Sequence, residues 1–343
     1  MTKLIIQIPC LNEAETLPST LADLPRSIPG IDVVEILVVD DGSRDGTADV
    51  ARAAGADHIV RLRRNKGLAA AFAAGIDASL KKGADFIVNT DADNQYAGSE
   101  IPKLLQPLLN GEADIVIGDR NIAELEHMSW RKRQLQRLGS WVVRQVSSTS
   151  VPDTTSGFRA YTREAALRMT IVSEFSYTLE TIIQAGKKRM AIAHVPVATN
   201  PRTRQSRLFD SAFSYIKRSA ATIVRIYAMY EPLKIFSYIG AGIVGIGVLL
   251  CVPFILTYLR EPRLAAGRNL QSLILGAVFM IVGFQVLLIG LLADVISANR
   301  KLLEDLVYRV KTLERPRQPG ESEVDGEESR VRSKTGTDGR WQR

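Results

Sequence analysis

Cysteine is scarce: there are two in 343 residues, which leaves no disulfide framework and no thiolate metal site to consider. Cys10 stands at the end of an apolar run and Cys251 inside a longer one, so both read as small buried hydrophobes. The three histidines form no pair that would suggest zinc, and His194 reads as packing beside VPV. The stretch MTKLIIQIPCLNE lacks the form of a signal peptide, because Pro9 cuts its short apolar run and an acidic residue soon follows. The domain after it is therefore expected on the cytoplasmic side. Charge is absent from two stretches, between Lys234 and Arg260 and between Arg268 and Asp294, with 25 residues in each gap. Each is long enough to cross about 30 Å of hydrocarbon as a helix, whereas a globular core helix is usually shorter and carries a polar face.

What is present is a basic chain, with formal net charge +7. That balance suits anionic partners: nucleic acid, acidic lipid or phosphorylated substrates. The first 120 residues alternate apolar runs with helical spacing. KLIIQIP, EILVVDD, HIVRL, DFIVNTD and DIVIGD read as strands, while Glu13–Leu24, Thr47–Ala54, Leu68–Lys81 and Glu100–Leu109 read as helices. This rhythm predicts an α/β domain with a mostly parallel central sheet, whose ligands bind beyond the carboxyl ends of the strands. SYTLETIIQAG then reads as helix and MAIAHVPV as strand.

Phe209, Phe213, Ile216, Ala220, Ile223, Tyr227 and Tyr230 recur every three or four residues. They predict an amphipathic helix lying along the membrane interface, with packing on the soluble domain as the competing account. Leu302, Leu303, Leu306, Val310 and Leu313 predict another amphipathic helix. The expected divisions are a catalytic domain over 1–208, an interfacial helix over 209–233, two spans within 234–298, a cytoplasmic helix over 299–315 and a disordered tail over 316–343. Lys217, Arg218, Arg225 and Lys234 before the first span, and Arg300 and Lys301 after the second, place both termini in the cytoplasm of a multi-pass inner-membrane protein. Gly240, Gly242, Gly245 and Gly247 would let a neighbouring helix approach closely, in this chain or in a homo-oligomer.

Chemistry gathers at the strand ends. Asp91 and Asp93 in NTDADNQY share a side of an extended backbone and can face one divalent cation. Their hard oxygens suit Mg2+ or Mn2+, which would neutralise a diphosphate leaving group. Asp40 and Asp41 end the second strand in VVDDGSRDGT, where either could accept hydrogen bonds from a nucleotide, while Ser43 or Asp45 could cap the next helix.

Together IPCLNEAETL, VVDDGSRDGT, RNKGLAAAFAAGI and NTDADNQY, in this order and spacing, resemble the family-two nucleotide-sugar glycosyltransferases of GT-A fold. SGFRAY and the two uncharged stretches look more narrowly like the polyprenyl-phosphate glycosyltransferases, the dolichyl-phosphate mannose synthase-like group. The resemblance covers about residues 3 to 300. It implies a first nucleotide-binding loop at Pro9, Asn12, Glu13 and Glu15, contact of Asp40 or Asp41 with base or ribose, and backbone approach to the nucleotide at Gly67. It implies a metal and diphosphate site at Asp91 and Asp93, with Gln95 beside it. GDR departs from the commoner Gly-Ser-Arg but keeps Arg120, to reach a phosphate or hold the loop. Asp153 stands near an important family Asp and would be base or positioning group, and Arg159 would pair with a carboxylate or touch phosphate. Glu180 is a lesser acidic candidate.

For the acceptor phosphate the resemblance implies Arg133, Arg137 and Ser140, with Arg131 and Lys132 as alternatives, together with Arg202 and Arg207 of a basic lid. In that lid Arg204 replaces the usual glycine and Arg207 the usual lysine. The implied reaction is inverting transfer of a sugar from a UDP- or GDP-sugar to a polyprenyl monophosphate at the membrane surface, with Asp91, Asp93, Arg120 and Asp153 in the catalytic set and no nucleic-acid partner. Two rivals accompany it. A processive polysaccharide synthase would usually carry a QxxRW signature, which this sequence lacks; against a non-catalytic scaffold or sugar-nucleotide sensor stand the intact Asp91/Asp93 pair and the basic acceptor side.

Overall fold

β-Branched runs fold into strands where the alternation places them. In the computed structural model, β1 (Lys3–Cys10), β2 (Val33–Asp40), β3 (His58–Arg61), β4 (Phe86–Asn89) and β5 (Ile115–Asp119) all point the same way. β6 (Arg159–Thr162) runs antiparallel between β4 and β5, and β7 (Ile192–Pro196) extends the edge parallel to β5, giving the order β3-β2-β1-β4-β6-β5-β7. The structure describes residues 1–120, 141–147, 149–172, 177–200, 212–260 and 269–313.

The helices are α1 (Leu17–Asp23), α2 (Thr47–Ala53), α3 (Leu68–Lys81), α4 (Ile101–Leu109), α5 (Arg163–Arg168), α6 (Tyr177–Lys187), α7 (Ala212–Tyr230), α8 (Pro232–Arg260) and α9 (Leu270–Leu313). α1 starts four residues later than its spacing predicts, with Pro18 in its first turn, where a missing N–H costs nothing. The residues ahead of it belong to the loop that joins β1 to α1.

Side chains alternate across the sheet with period two. Leu4, Ile6 and Ile8 join α1 and α4 in one core, while Ile5, Leu37 and Ile87 join α3 and α6 in the other. Each such fully buried aliphatic side chain contributes about 1.5–3 kcal/mol. α7 joins the second core through Ile223, Ile226 and Tyr230, so in this part its apolar face lies on the α/β domain. His194 faces solvent on edge strand β7 rather than packing beside VPV, because the side chains of an edge strand are covered on one side at most.

β6 positions the site. Because it runs backwards, its first residue lies at the carboxyl ends of the parallel strands, and it delivers the loop at 153–157 there.

α8 and α9 are long and apolar enough to cross a membrane, each with a mean hydropathy of 2.5 over its most apolar window and only 17% of that window buried. A soluble core helix of that composition would be mostly covered. They pack as a hairpin through glycine: a Cβ at Gly240 would sit 2.9 Å from the Gly283 carbonyl, and one at Gly247 2.8 Å from that of Gly276. Gly242 and Gly245 meet nothing within 4 Å. The expected second span and the helix after it are one unbroken helix, since no Gly or Pro interrupts Leu291–Leu313.

Candidate active site

β1 ends at Cys10, and the chain turns through Asn12 at φ 55°. That loop is stitched to the one after β2 by reciprocal bonds. The Asn12 N–H donates to Ser43 Oγ (2.9 Å), the Arg44 N–H to Asn12 Oδ1 (3.0 Å), the Glu13 N–H to Thr47 Oγ1 (3.0 Å) and the Ala14 N–H to Asp45 Oδ2 (3.0 Å). Although burial opposes it, the bonds from Thr47 and Ala14 hold the Asp45 carboxyl below its ordinary range. Pro9 lies in β1 opposite Val39, and Glu15 is exposed.

Asp40 and Asp41 divide the work that the sequence left shared. Asp41 accepts the Lys66 N–H on Oδ1 and the Gly67 N–H on Oδ2, both at 2.8 Å. It thereby pins the loop that opens α3. Gly67 sits there at φ 91°, a conformation that a side chain would strain. Burial raises the Asp41 carboxyl despite those two bonds. Asp40 accepts the Ser43 N–H on Oδ1 (2.8 Å), and its Oδ2 has no hydrogen bond but lies 3.3 Å from Arg61 Nε. One buried acceptor is thus left at the end of β2.

After β4 the backbone is held from beneath. Gln7 Nε2 donates to Asn89 Oδ1 (2.9 Å), and Asn89 Nδ2 donates to the Gly157 carbonyl (2.8 Å) and to Tyr177 Oη (2.9 Å). Tyr177 stacks on Phe72 with centroids 3.9 Å apart. Asp91 comes next in the chain, and no described side chain or N–H hydrogen-bonds to its carboxylate. A Cβ at Gly157 would stand 3.1 Å from one Asp91 oxygen and 3.3 Å from the other, so glycine there leaves the carboxylate its place. Burial first and Asp93 second push the Asp91 carboxyl up to about 7, with Arg120 opposing them. Glu13 and Arg159 act on it too, so the motifs expected at one site do converge on Asp91.

Asp93 Oδ1 accepts the Gln95 N–H (3.2 Å). The Gln95 carbonyl accepts the Asn200 N–H (2.8 Å), and the Asn94 carbonyl accepts Asn200 Nδ2 (3.0 Å). The chain therefore enters the basic segment 201–211 beside Asp93.

Arg120 holds a loop. Its Nε donates to Asp153 Oδ2 (2.7 Å), and its Nη2 donates to Asp153 Oδ1 (3.0 Å) and Thr155 Oγ1 (2.9 Å). Although burial penalises the Asp153 charge, Arg120 and the bonds from Thr155 hold its carboxyl below the ordinary range. Such a carboxylate is a poor proton acceptor. Arg159, which the resemblance would pair with a carboxylate or phosphate, is instead fully buried. It donates to the carbonyls of Ser156, Thr154 and Thr178 and to Thr181 Oγ1, fastening the 154–156 loop to α6. Glu180 is buried on α6, where it accepts the Val172 N–H (3.0 Å).

Tyr177, Asn89 and Gly157 were not read from the sequence as site residues. The signal for them was slight: an Asn directly before the acidic motif and a Gly two residues before Arg159. Arg133, Arg137, Ser140, Arg202 and Arg207, with Arg131, Lys132 and Arg204, lie outside the described residues. Among the described residues no group of three or more His, Cys, Asp or Glu could hold a metal. Two carboxylates that repel each other, one without a donor, fit a cation whose remaining ligands come from elsewhere.

The family described as Glycosyl transferase family 2 matches residues 5–169. Polyprenol monophosphomannose synthase of Mycolicibacterium smegmatis is 31% identical over 209 residues, covering 58% of this chain and 77% of that protein. Glycosyltransferase AglJ of Haloferax volcanii is 28% identical over 322 residues, or 90% of this chain and 97% of that one. Among solved structures, glucosyl-3-phosphoglycerate synthase from Mycobacterium tuberculosis, in complex with Mn2+, UDP-glucose and phosphoglyceric acid, is alike in fold. Its TM-score is 0.54 at 22% identity, covering 66% of this chain and 80% of that one.

Proposed function

This chain belongs to glycosyltransferase family 2, and from that premise we propose that it transfers one sugar from a nucleoside diphosphate, UDP or GDP, to a polyprenyl monophosphate at the membrane surface, with inversion at C1. The observation that carries the reading is Asp91: a carboxylate raised by burial and by Asp93, without a hydrogen-bond donor among the described residues, at the carboxyl edge of the sheet. A carboxylate so placed calls for a cation and the phosphates that come with it. Asp91 and Asp93 would hold Mn2+ or Mg2+, which when bound supplies positive charge to the leaving diphosphate.

The chain's own residues do the rest. Asp41 fixes the loop at Gly67 so that backbone can approach the nucleotide, and Asp40, beside Arg61, holds the turn at Ser43. The Arg120–Asp153 pair and Arg159 set the floor loop at 153–157. An oxygen of the acceptor phosphate attacks C1, the bond from C1 to the diphosphate breaks, and its electron pair leaves on the nucleoside diphosphate. A phosphate monoester is mostly anionic near neutrality, so the attack needs no base, in keeping with an Asp153 locked to Arg120.

The lipid acceptor is supported by the apolar hairpin of α8 and α9 and by the M. smegmatis relative, whose name states a polyprenol product. With the hairpin in the inner membrane, the catalytic domain is cytoplasmic. Arg133, Arg137, Ser140, Arg202 and Arg207 are proposed for the lipid phosphate, because several cationic donors suit its oxygens.

A donor-by-acceptor screen on membranes tests this. UDP- and GDP-sugars are paired with undecaprenyl phosphate, dolichyl phosphate and 3-phosphoglycerate, and the products are weighed. A lipid phosphate carrying one sugar is expected. A growing polymer, or transfer only to the soluble phosphate, would overturn the reading.

A further inference from the structure

α9 does not end at the membrane. Its uncharged part closes at Asp294, and the helix continues unbroken to Leu313. One side of this extension is fastened to the rest of the chain. Ser297 Oγ donates to the Met229 carbonyl (2.8 Å), and Glu304 accepts from Lys188 Nζ (2.9 Å) and Arg300 Nε (2.9 Å). Tyr308 Oη bonds Glu164 on α5 at 3.0 Å while the Arg168 guanidinium lies 5.0 Å from its ring centre. Residues 297, 300, 304 and 308 form one stripe at three- and four-residue spacing, as a docked helix face requires.

The opposite side is bare and apolar. Leu303, Leu306, Val310 and Leu313 are 61%, 56%, 54% and 85% exposed. Their spacing of three, four and three residues is that of positions a and d in a heptad, and Ile296 and Asn299 continue it toward the membrane. A helix lying on the bilayer would turn this face down onto lipid. Here the helix runs straight on from a span and its other face is fixed to α5, so the seam stands off the surface. We propose that this seam joins the chain to a second copy of itself as a parallel two-stranded coiled coil just outside the membrane.

Three features select that occupant. Two copies anchored in one membrane by the same hairpin have the same direction, so only a parallel pairing is available; this point rests on the membrane reading of the hairpin. Two of the three residues at a, Ile296 and Val310, are β-branched (Leu303 is the third), and Leu306 and Leu313 stand at d, a pattern that favours two strands. Asn299 stands at d, where its side-chain amide can bond the same amide of a second copy only when the copies are in register. Eighteen residues, about 27 Å, is short for free peptides, which would have to pay for helix formation. α9 is already helical and confined to a membrane, so association bears neither cost in full.

Cysteine replacement in the full chain tests the proposal, since Cys10 and Cys251 are buried. On mild oxidation in native membranes, Leu306→Cys and Leu313→Cys are expected to give a covalent dimer, and Lys301→Cys, on the outer side of the helix, is not. In detergent, Leu306→Glu is expected to halve the protein mass measured by light scattering, with thermal stability unchanged. Lack of cross-linking at both seam positions, or a mass that Leu306→Glu leaves unchanged, would overturn the proposal. Protection of Leu306→Cys from an aqueous maleimide without dimer formation would assign the seam to lipid or to residues 314–343 and would overturn it equally. Alkaline extraction is scored separately: a chain that washes off the bilayer contradicts the membrane reading, and the seam is then judged by cross-linking and mass alone.

Discussion

Two pairs of carboxylates end neighbouring regions of the same sheet edge, and they are finished differently. At β2, three of four oxygens are engaged by backbone: Asp41 takes two N–H groups and Asp40 takes one, with Arg61 beside the fourth oxygen. After β4, Asp93 takes one N–H and Asp91 takes none. The first pair builds its own loops; the second keeps acceptors to spare, which the proposed cation would take. Asp91 is half-buried, is repelled by Asp93 and has no hydrogen-bond donor among the described residues, an arrangement that a bound cation would relieve.

The sharpest break of this contrast is Asp91→Asn. It is expected to lower transfer by about 10³-fold, the several kcal/mol that a lost cation ligand is worth. It should leave the melting temperature unchanged or raised, because it removes repulsion from Asp93; circular dichroism melts alongside product assays check both. The reverse pattern is expected of Asp153→Asn, which leaves Arg120 unpaired. Stability should fall by about 3 kcal/mol, the low end for a broken buried pair, since Arg120 keeps 20% of its side chain in solvent. Denaturant titration would show it, with activity lost in step.

Asp41→Asn retains one acceptor oxygen and orphans one N–H, so about 1–2 kcal/mol should go, with donor affinity weakened more than turnover. Should Asp41→Asn behave like Asp91→Asn, with lost transfer and intact stability, the contrast between the pairs fails.

The smallest effect lies at the junction with the apolar hairpin. Lys187 and Lys234 hold the Glu231 carboxyl at about 2, below its ordinary 4.5. A depressed carboxyl stabilises fully above its ordinary value, and the contribution disappears as pH falls from about 4.5 toward 2. Glu231→Gln should flatten the acid limb of a melting-temperature profile in that window and leave it unchanged in shape above.

Much of the molecule is legible in its sequence, for reasons that particular residues display. β1 to β5 and α3 declare themselves because their apolar periods are long or uninterrupted, and Asp91 and Asp93 because a strand precedes them. β6 does not declare itself. RAYT is four residues headed by a charge, and it is a strand only because Tyr161 pairs with Ile87 on one side and Ile115 on the other. The Arg120–Asp153 pair is equally hidden, its members being 33 residues apart and joined by that reversed strand. Asp40 and Asp41 look alike as neighbours; only the pleat, which sends adjacent side chains to opposite sides, gives one to the α3 loop and the other to Ser43. The continuity of α9 is there to be read in the absence of any helix breaker.

The central claim is that Asp91 and Asp93 hold the donor through a cation, and calorimetry of UDP and GDP binding with and without Mn2+ tests it most directly. Mn2+ should strengthen nucleotide binding about tenfold or more, a gain of at least ~1.4 kcal/mol, and Asp91→Asn should remove that gain while Asp41→Asn keeps it. An equal Mn2+ effect in the wild-type chain and in Asp91→Asn would contradict the account.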